Sequence, residues 1–304
     1  MRHHPVLWIL RVTWVSLLFT LADSLNDVLA DVAGPVRVVG TVLFWLLWVV
    51  VAVATVVAHP VSLTLLRLLT PLAPILAVAT ATALAPDAPS TGGTALAVVS
   101  IVAALIATAC ALSGVVADEN VDAGSYGDER RFALATPLQF LAGPIPVFWV
   151  LLVPTAVSAP LAIADRRWAL GAILAAVCLV VAKPAIAAFH ALSRRWIVFV
   201  PAGVTLVDHV ALADPVLMER RRVTALGPAL AGGGGIDLSG SARGLALEAE
   251  LASPVELARR TAGREAELTM ASGVVFTPVR PGSVLAEARR RGLPVTPGRP
   301  RTGS

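Results

Sequence analysis

Apolar residues fill the first two-thirds of the chain in six long blocks, separated by short polar or turn-rich stretches. The blocks cover residues 5–22, 36–58, 61–85, 94–117, 144–164 and 168–190. Each is about 18–25 residues long, and roughly 20 are needed to cross a bilayer core as a helix. The pattern therefore predicts six transmembrane helices over residues 1–192. Arg11 interrupts the first block, and no small-residue cleavage site follows it, so it reads as a short span and not as a removable leader. Asp23, Asp27 and Asp31 recur every fourth residue after it and read as one solvated face of a helical turn. His59-Pro60 makes a tight turn that sets the second and third spans antiparallel. Pro71 and Pro74 lie inside the third span, and a kink is expected there, with hydroxyls nearby to satisfy the freed carbonyls. Ala103, Ala107 and Ala111 place small residues at four-residue spacing on the fourth span, which permits close helix packing. The fifth span carries Pro146, Pro154 and Pro160.

After the sixth block the pattern changes. Trp168 to Ser193 passes through Arg194 and Arg195 into WIVFVPAGVTLVD, which reads as a hairpin turning at Pro201-Ala202-Gly203. Val216–Leu226 reads as one strand containing Arg220, Arg221 and Arg222. Gly232 to Gly235 read as a flexible loop. Leu245–Leu251 alternates leucine and alanine with Glu248 and Glu250, a period-two strand signal. Val274–Thr277 reads as a last strand. Pro281 then opens an amphipathic helix that ends in three arginines and stops at Gly292. Residues 193–295 are thus expected to form a small β-barrel-like domain capped by a C-terminal helix, with residues 296–304 as a disordered tail. Residues 118–142 read as the longest connecting loop.

Composition agrees with a membrane class. The chain of 304 residues is 57% hydrophobic and 14% charged, where a soluble domain has roughly 25% charged residues. Of the 24 basic residues only Lys183 is lysine; the arginine bias accords with a GC-rich bacterial source. Charge also sets an orientation. With both termini cytoplasmic, the inner side carries Arg2, Arg130, Arg131, Arg194 and Arg195, and the outer loops carry Arg37, Arg166 and Arg167. The intramembrane charges Arg11, Arg67 and Lys183 then fall toward the cytoplasmic ends of their helices, where they can snorkel to the headgroups. The expected location is the plasma membrane.

Catalytic chemistry finds no motif. The sequence has no P-loop, no His-Glu-x-x-His, no nucleophile elbow and no paired-cysteine motif. Cys110 and Cys178 lie inside apolar blocks and read as small hydrophobes. The histidines His3, His4, His59, His190 and His209 are scattered. No cofactor, metal or nucleic-acid partner is expected, and the protein is not expected to be an enzyme. The one chemical feature is basic. Arg194, Arg195, Arg220, Arg221 and Arg222 are read as contacts to anionic lipid, at about 1 kcal/mol each.

A hairpin directly after a membrane helix, an arginine-containing strand and the terminal FTPVRPGSVLAEARRRG together resemble the bacterial pleckstrin-homology-like domains that follow membrane helices. The whole chain is similar to uncharacterised multi-spanning actinobacterial membrane proteins with such a domain. The resemblance covers roughly residues 193–293. It implies a binding or assembly module and carries no catalytic residue. The function expected is that of an integral membrane scaffold or regulator. Its cytoplasmic β domain would bind a protein partner or the anionic inner leaflet, and the partners expected are membrane lipid and a protein partner or a second copy in the membrane. The alternative is a small-solute or lipid transporter, for which the proline-broken spans and intramembrane charges speak.

Overall fold

The structure is a computed structural model describing residues 4–85, 91–230, 233–260 and 266–296. In chain order it contains α1 (Pro5–Ala30), α2 (Gly34–Val56), α3 (Pro60–Leu69), α4 (Leu72–Leu84), α5 (Thr91–Ala111) and α6 (Gly114–Asp122). Then follow β1 (Arg130–Ala133), α7 (Leu138–Ala142), α8 (Pro144–Ala164) and α9 (Trp168–Ser193). The rest comprises β2 (Arg195–Val200), β3 (Gly203–Asp208), β4 (Val216–Glu219), β5 (Val223–Pro228), β6 (Ile236–Asp237), β7 (Leu247–Arg260), β8 (Ala266–Phe276) and α10 (Pro281–Arg290). The chain divides into two compact units, 1–116 with 145–189, and 117–144 with 190–304.

The first unit is helical. Among the described residues six helices are long and apolar enough to cross a bilayer, α3 and α4 together counting as one. The protein is therefore a multi-pass membrane protein. The first helix is longer than the apolar block of residues 5–22. It runs on to Ala30, with Asp23 and Asp27 on its exposed side. Helix α5 packs against α1 and α4. It does so through Ala103, Ala104, Ala107 and Ala111, all buried. Across α1 and α2, two indoles exchange hydrogen bonds: Trp14 Nε1 donates to the Trp48 carbonyl at 3.0 Å, and Trp48 Nε1 donates to the Trp14 carbonyl at 3.2 Å.

The third span is broken at Thr70-Pro71. Proline has no amide hydrogen, so Pro74 leaves the Thr70 carbonyl without its usual helical donor. That carbonyl instead accepts from Ala73 N at 3.1 Å and from the Thr108 hydroxyl of α5 at 3.0 Å. Just before the break, the Leu68 carbonyl accepts from Trp149 Nε1 of α8 at 2.8 Å. Neighbouring helices therefore satisfy the break, as a lipid environment demands.

The second unit is built on two four-stranded sheets, ordered β1-β2-β3-β4 and β5-β7-β8-β6. All pairings are antiparallel except β6 with β8. The expected barrel is corrected here: the described strands form two sheets and do not close. The reason lies at Arg220–Arg222, which form a turn in place of the middle of one strand. Before the turn β4 pairs with β3, and after it β5 pairs with β7, so the chain changes sheet at the arginines. The expected domain boundary at residue 193 is corrected too. The stretch 118–142 is not a plain loop; its strand β1 is the first strand of a sheet that continues after the sixth span. Phe132 of β1 is buried beside Phe199 of β2, the rings edge-to-face at 5.8 Å. One core holds both sheets, from Phe132 through Ile197, Leu206 and Leu226 to Phe276 and Val284 of α10.

Two glycines fix the geometry next to the site. Gly203 leaves the β2–β3 turn at φ +156°, and a Cβ there would meet the Met218 carbonyl at 2.2 Å. Gly292 ends α10 at φ +67°. Its N–H donates to the Arg289 carbonyl and the Leu293 N–H donates to the Ala288 carbonyl, the paired bonds of a Schellman cap. The glycine-rich loop also differs from its reading. Gly233 and Gly235 lie against the Glu248 carboxylate, while residues 231 and 232 lie outside the described set. Thr296 is held by Leu226, its N–H donating to that carbonyl at 3.1 Å; residues 297–304 of the expected tail lie outside the described residues.

Candidate functional site

Five arginines are expected at a lipid surface, and the structure separates them. Arg195 is 2% exposed. It begins β2 opposite Asp208, the last residue of β3. Its Nε and Nη2 donate to Asp208 Oδ1 and Oδ2 at 2.8 and 2.7 Å, and Nη1 donates to the Ala135 carbonyl at 2.7 Å. Asp208 Oδ1 also accepts from Val210 N and Ala211 N. Arg195 is thus a satisfied, buried half of an ion pair and not a lipid contact. A hairpin folded about Pro201-Ala202 pairs residues 195 and 208, so the sequence held the signal. Arg194, one residue earlier, is exposed.

Arg220, Arg221 and Arg222 lie on the turn between β4 and β5, so strand alternation does not divide them between two faces. Arg221 Nε donates to Glu219 Oε2 at 2.7 Å, and Arg222 approaches Glu219 Oε1 at 3.4 Å. The hydrogen bond from Arg221 is the main cause that holds the Glu219 carboxyl below its ordinary range. Arg220 is different. Its guanidinium has no hydrogen-bond or ion-pair partner among the described residues.

Arg220 lines a cleft of about 400 Å³ together with Val200, Pro201, Leu293 and two arginines from the end of α10, Arg290 and Arg291. Gly292 forms part of the same wall, and Arg220 Nη2 lies 2.9 Å from where a Cβ on Gly292 would stand. A more open depression of about 670 Å³, lined by Leu217, Glu219 and Arg221, shares Arg220 and Gly292 with it. Arg290 grips Glu287 at 2.8 and 2.5 Å, and Arg291 Nε reaches the same carboxylate at 2.6 Å. Burial pushes the Glu287 carboxyl up, but the hydrogen bonds and charges of the two arginines outweigh it and hold it low. Arg291 also donates to the Asp128 carbonyl and lies over the Phe199 ring, 5.9 Å from its centre. Arg289 completes the run on the last turn of α10. Five arginines, 220–222, 290 and 291, therefore meet at one corner with three carboxylates, Glu219, Glu287 and Asp128. The run at 289–291 reads in the sequence only as a helix end; its approach to the 220–222 turn is a tertiary fact.

A second group of charges lies elsewhere in this unit. Asp118 of α6 is 5% exposed. Its Oδ1 accepts from Ala133 N of β1 at 2.9 Å, while Oδ2 has no hydrogen-bond partner among the described residues and lies 3.6 Å from Arg280. Burial pushes its pKa from the ordinary 3.8 up to about 7, against the opposing pull of the Ala133 amide, Arg280 and Arg130.

The intramembrane charges lie on three different helices. Arg11 donates to the Thr55 carbonyl at 3.2 and 3.0 Å, at the electronegative end of α2. Arg67 lies in the last turn of α3, and Lys183 is exposed on α9. His4 and His59 are helix caps, each accepting from an amide two residues on. Among the described residues no three His, Cys, Asp or Glu side chains group as metal ligands do. No protein-family model, curated protein or solved structure matches the chain.

Proposed function

We propose that the protein is a non-enzymatic scaffold or regulator of the plasma membrane whose sheet domain, on the cytoplasmic side, engages an anionic lipid surface through the arginine corner. The observation that carries this reading is the convergence of five arginines from two separate segments on three carboxylates. A net surplus of two positive charges in one corner attracts anionic headgroups through long-range Coulomb forces, within about a Debye length. The two sheets closed by a C-terminal helix also support kinship with pleckstrin-homology-like modules that follow membrane helices, and a docked domain of this kind offers a surface to a protein partner or a second copy.

The test uses the full chain in phosphatidylcholine nanodiscs, presented with phosphatidylcholine vesicles with and without phosphatidylglycerol. Capture is expected only by the charged vesicles, to weaken as salt rises, and to fall on combined Arg221→Ala and Arg222→Ala substitution. Capture that ignores both salt and these substitutions would remove the basis of the proposal.

The transport reading has one observation in its favour, the break in the third span. Its freed Thr70 carbonyl is, however, already bonded to Thr108, and the Leu68 carbonyl just before it to Trp149. The cleft beside it, lined by Trp14, Leu21, Phe44, Trp48 and Ala73, holds about 10 Å³. That is about the least volume that admits one water molecule.

A further inference from the structure

Resting on that reading, we propose that the cleft between the β4–β5 turn and the end of α10 is a phosphomonoester site, with Arg220 as its principal ligand. The argument starts from which arginines are already spoken for. Arg221 and Arg222 share Glu219, and Arg290 and Arg291 share Glu287. Of the three arginines that line the cleft, Arg220 alone has no counter-ion among the described residues, and its Nη2 stands against Gly292 at the cleft wall. A guanidinium offers a planar fork of donors that matches two oxygens of one phosphate. The glycine matters for the same reason: a side chain at 292 would strike the guanidinium and displace the fork.

Charge selects the ligand class. The corner carries a surplus of two positive charges. A phosphodiester brings a single negative charge. A phosphomonoester carries roughly −1.5 to −2 near neutral pH and presents three acceptor oxygens. It therefore compensates more of the surplus and leaves a third oxygen for Arg290 or Arg291 beyond the two on Arg220. The volume of about 400 Å³ admits a phosphate with a small glycerol or sugar unit. The walls formed by Val200, Pro201 and Leu293 are apolar, suited to the carbon part of such a group and not to a second charge. The phosphomonoester has two possible sources, the headgroup of a lipid such as phosphatidic acid or a free phosphate ester in solution.

The experiment titrates the full-length protein, in detergent, with short-chain phosphatidic acid, short-chain phosphatidylglycerol and inorganic phosphate. Wild-type protein is expected to bind phosphatidic acid about tenfold or more tightly than phosphatidylglycerol, the loss expected for one charged hydrogen-bonded contact. Arg220→Ala is expected to erase that preference, weakening phosphatidic acid binding about tenfold more than phosphatidylglycerol binding. Arg220→Lys, which keeps the charge but not the fork, is expected to keep binding and lose most of the preference. Competition by inorganic phosphate at equal affinity assigns the site to a soluble ester, and weak competition assigns it to the lipid. Equal affinity of wild-type protein for both lipids overturns the phosphomonoester site and leaves the lipid-surface reading standing. A preference retained in Arg220→Ala overturns the role of Arg220. Binding of neither lipid, with vesicle capture also absent, overturns both readings.

Discussion

At the scale of single residues, burial decides which charges are structural and which face a ligand. Arg195 and Arg220 look alike in the sequence, each an arginine beside a second one. Arg195 opposes an aspartate across a hairpin and vanishes into the domain; Arg220 sits on a turn with no counter-ion among the described residues. A buried, fully hydrogen-bonded pair such as Arg195–Asp208 fixes one arrangement, because removing either partner strands the other charge. Asp118 is the opposite case, a buried carboxylate with one oxygen unpartnered, facing Arg280 from the start of α10, Arg130 from β1 and Asp122 on its own helix. Its raised pKa gives stability a pH dependence of unusual sign. Between the ordinary 3.8 and about 7 the folded protein holds a proton that the unfolded chain has lost. Its contribution is therefore complete below the lower value and is lost as pH rises through the upper one, amounting to about 4 kcal/mol. Asp118→Asn is expected to remove this dependence. In thermal melts the variant then exceeds wild type at about pH 8 and converges with it at about pH 4; parallel melting curves for the two proteins at all pH values would contradict the assignment.

At the scale of elements, apolar block length was a reliable guide and pairing was not. The fifth span runs over Pro144–Ala164 as the apolar pattern has it, and the sixth extends only three residues further to Ser193. The kink expected at Pro71 and Pro74 is present, because the missing amide hydrogens are a property of the residues themselves. The donor that repairs it, Thr108, lies 38 positions away from Thr70 and belongs to packing. Strand β1 was illegible for a similar reason: four residues, two of them arginine, carry no period of their own and become a strand only against β2. The stop of α10 at Gly292 was legible, since three basic residues followed by glycine mark a helix end locally. The repaired break gives a test at this scale. Thr108→Val keeps the shape and removes the hydroxyl, leaving the Thr70 carbonyl one donor short inside the bilayer. A loss of about 1 kcal/mol is expected. Thr82→Val, at an exposed hydroxyl bonded only within its own helix, is expected to change nothing measurable. Equal melting of the two variants in detergent would mean that the inter-helix bond does not hold the break.

At the scale of the whole molecule, the sheet domain is assembled from chain on both sides of the fifth and sixth spans. Because β1 precedes those spans and β2 follows them in one sheet, both segments lie on the same side of the membrane. Residues 144–193 therefore cross it an even number of times, which α8 and α9 do as a pair. This restricts topology without reference to charge. The excess of arginine on that side, with Arg130, Arg131, Arg194 and Arg195, then argues for the cytoplasmic face. The proposed lipid-binding corner depends on this assembly, since Asp128 comes from the first segment and Arg220 and Arg291 from the second. The most direct measurement is sided labelling in a chain with Cys110 and Cys178 replaced by alanine. Single cysteines are placed at the exposed Tyr126, before the fifth span, and at the exposed Leu245, after the sixth. An impermeant maleimide is expected to label both positions in inverted membrane vesicles and neither in right-side-out ones. Labelling of the two positions from opposite sides would contradict the split sheet domain, and labelling of both from the outside would contradict its placement at the inner leaflet.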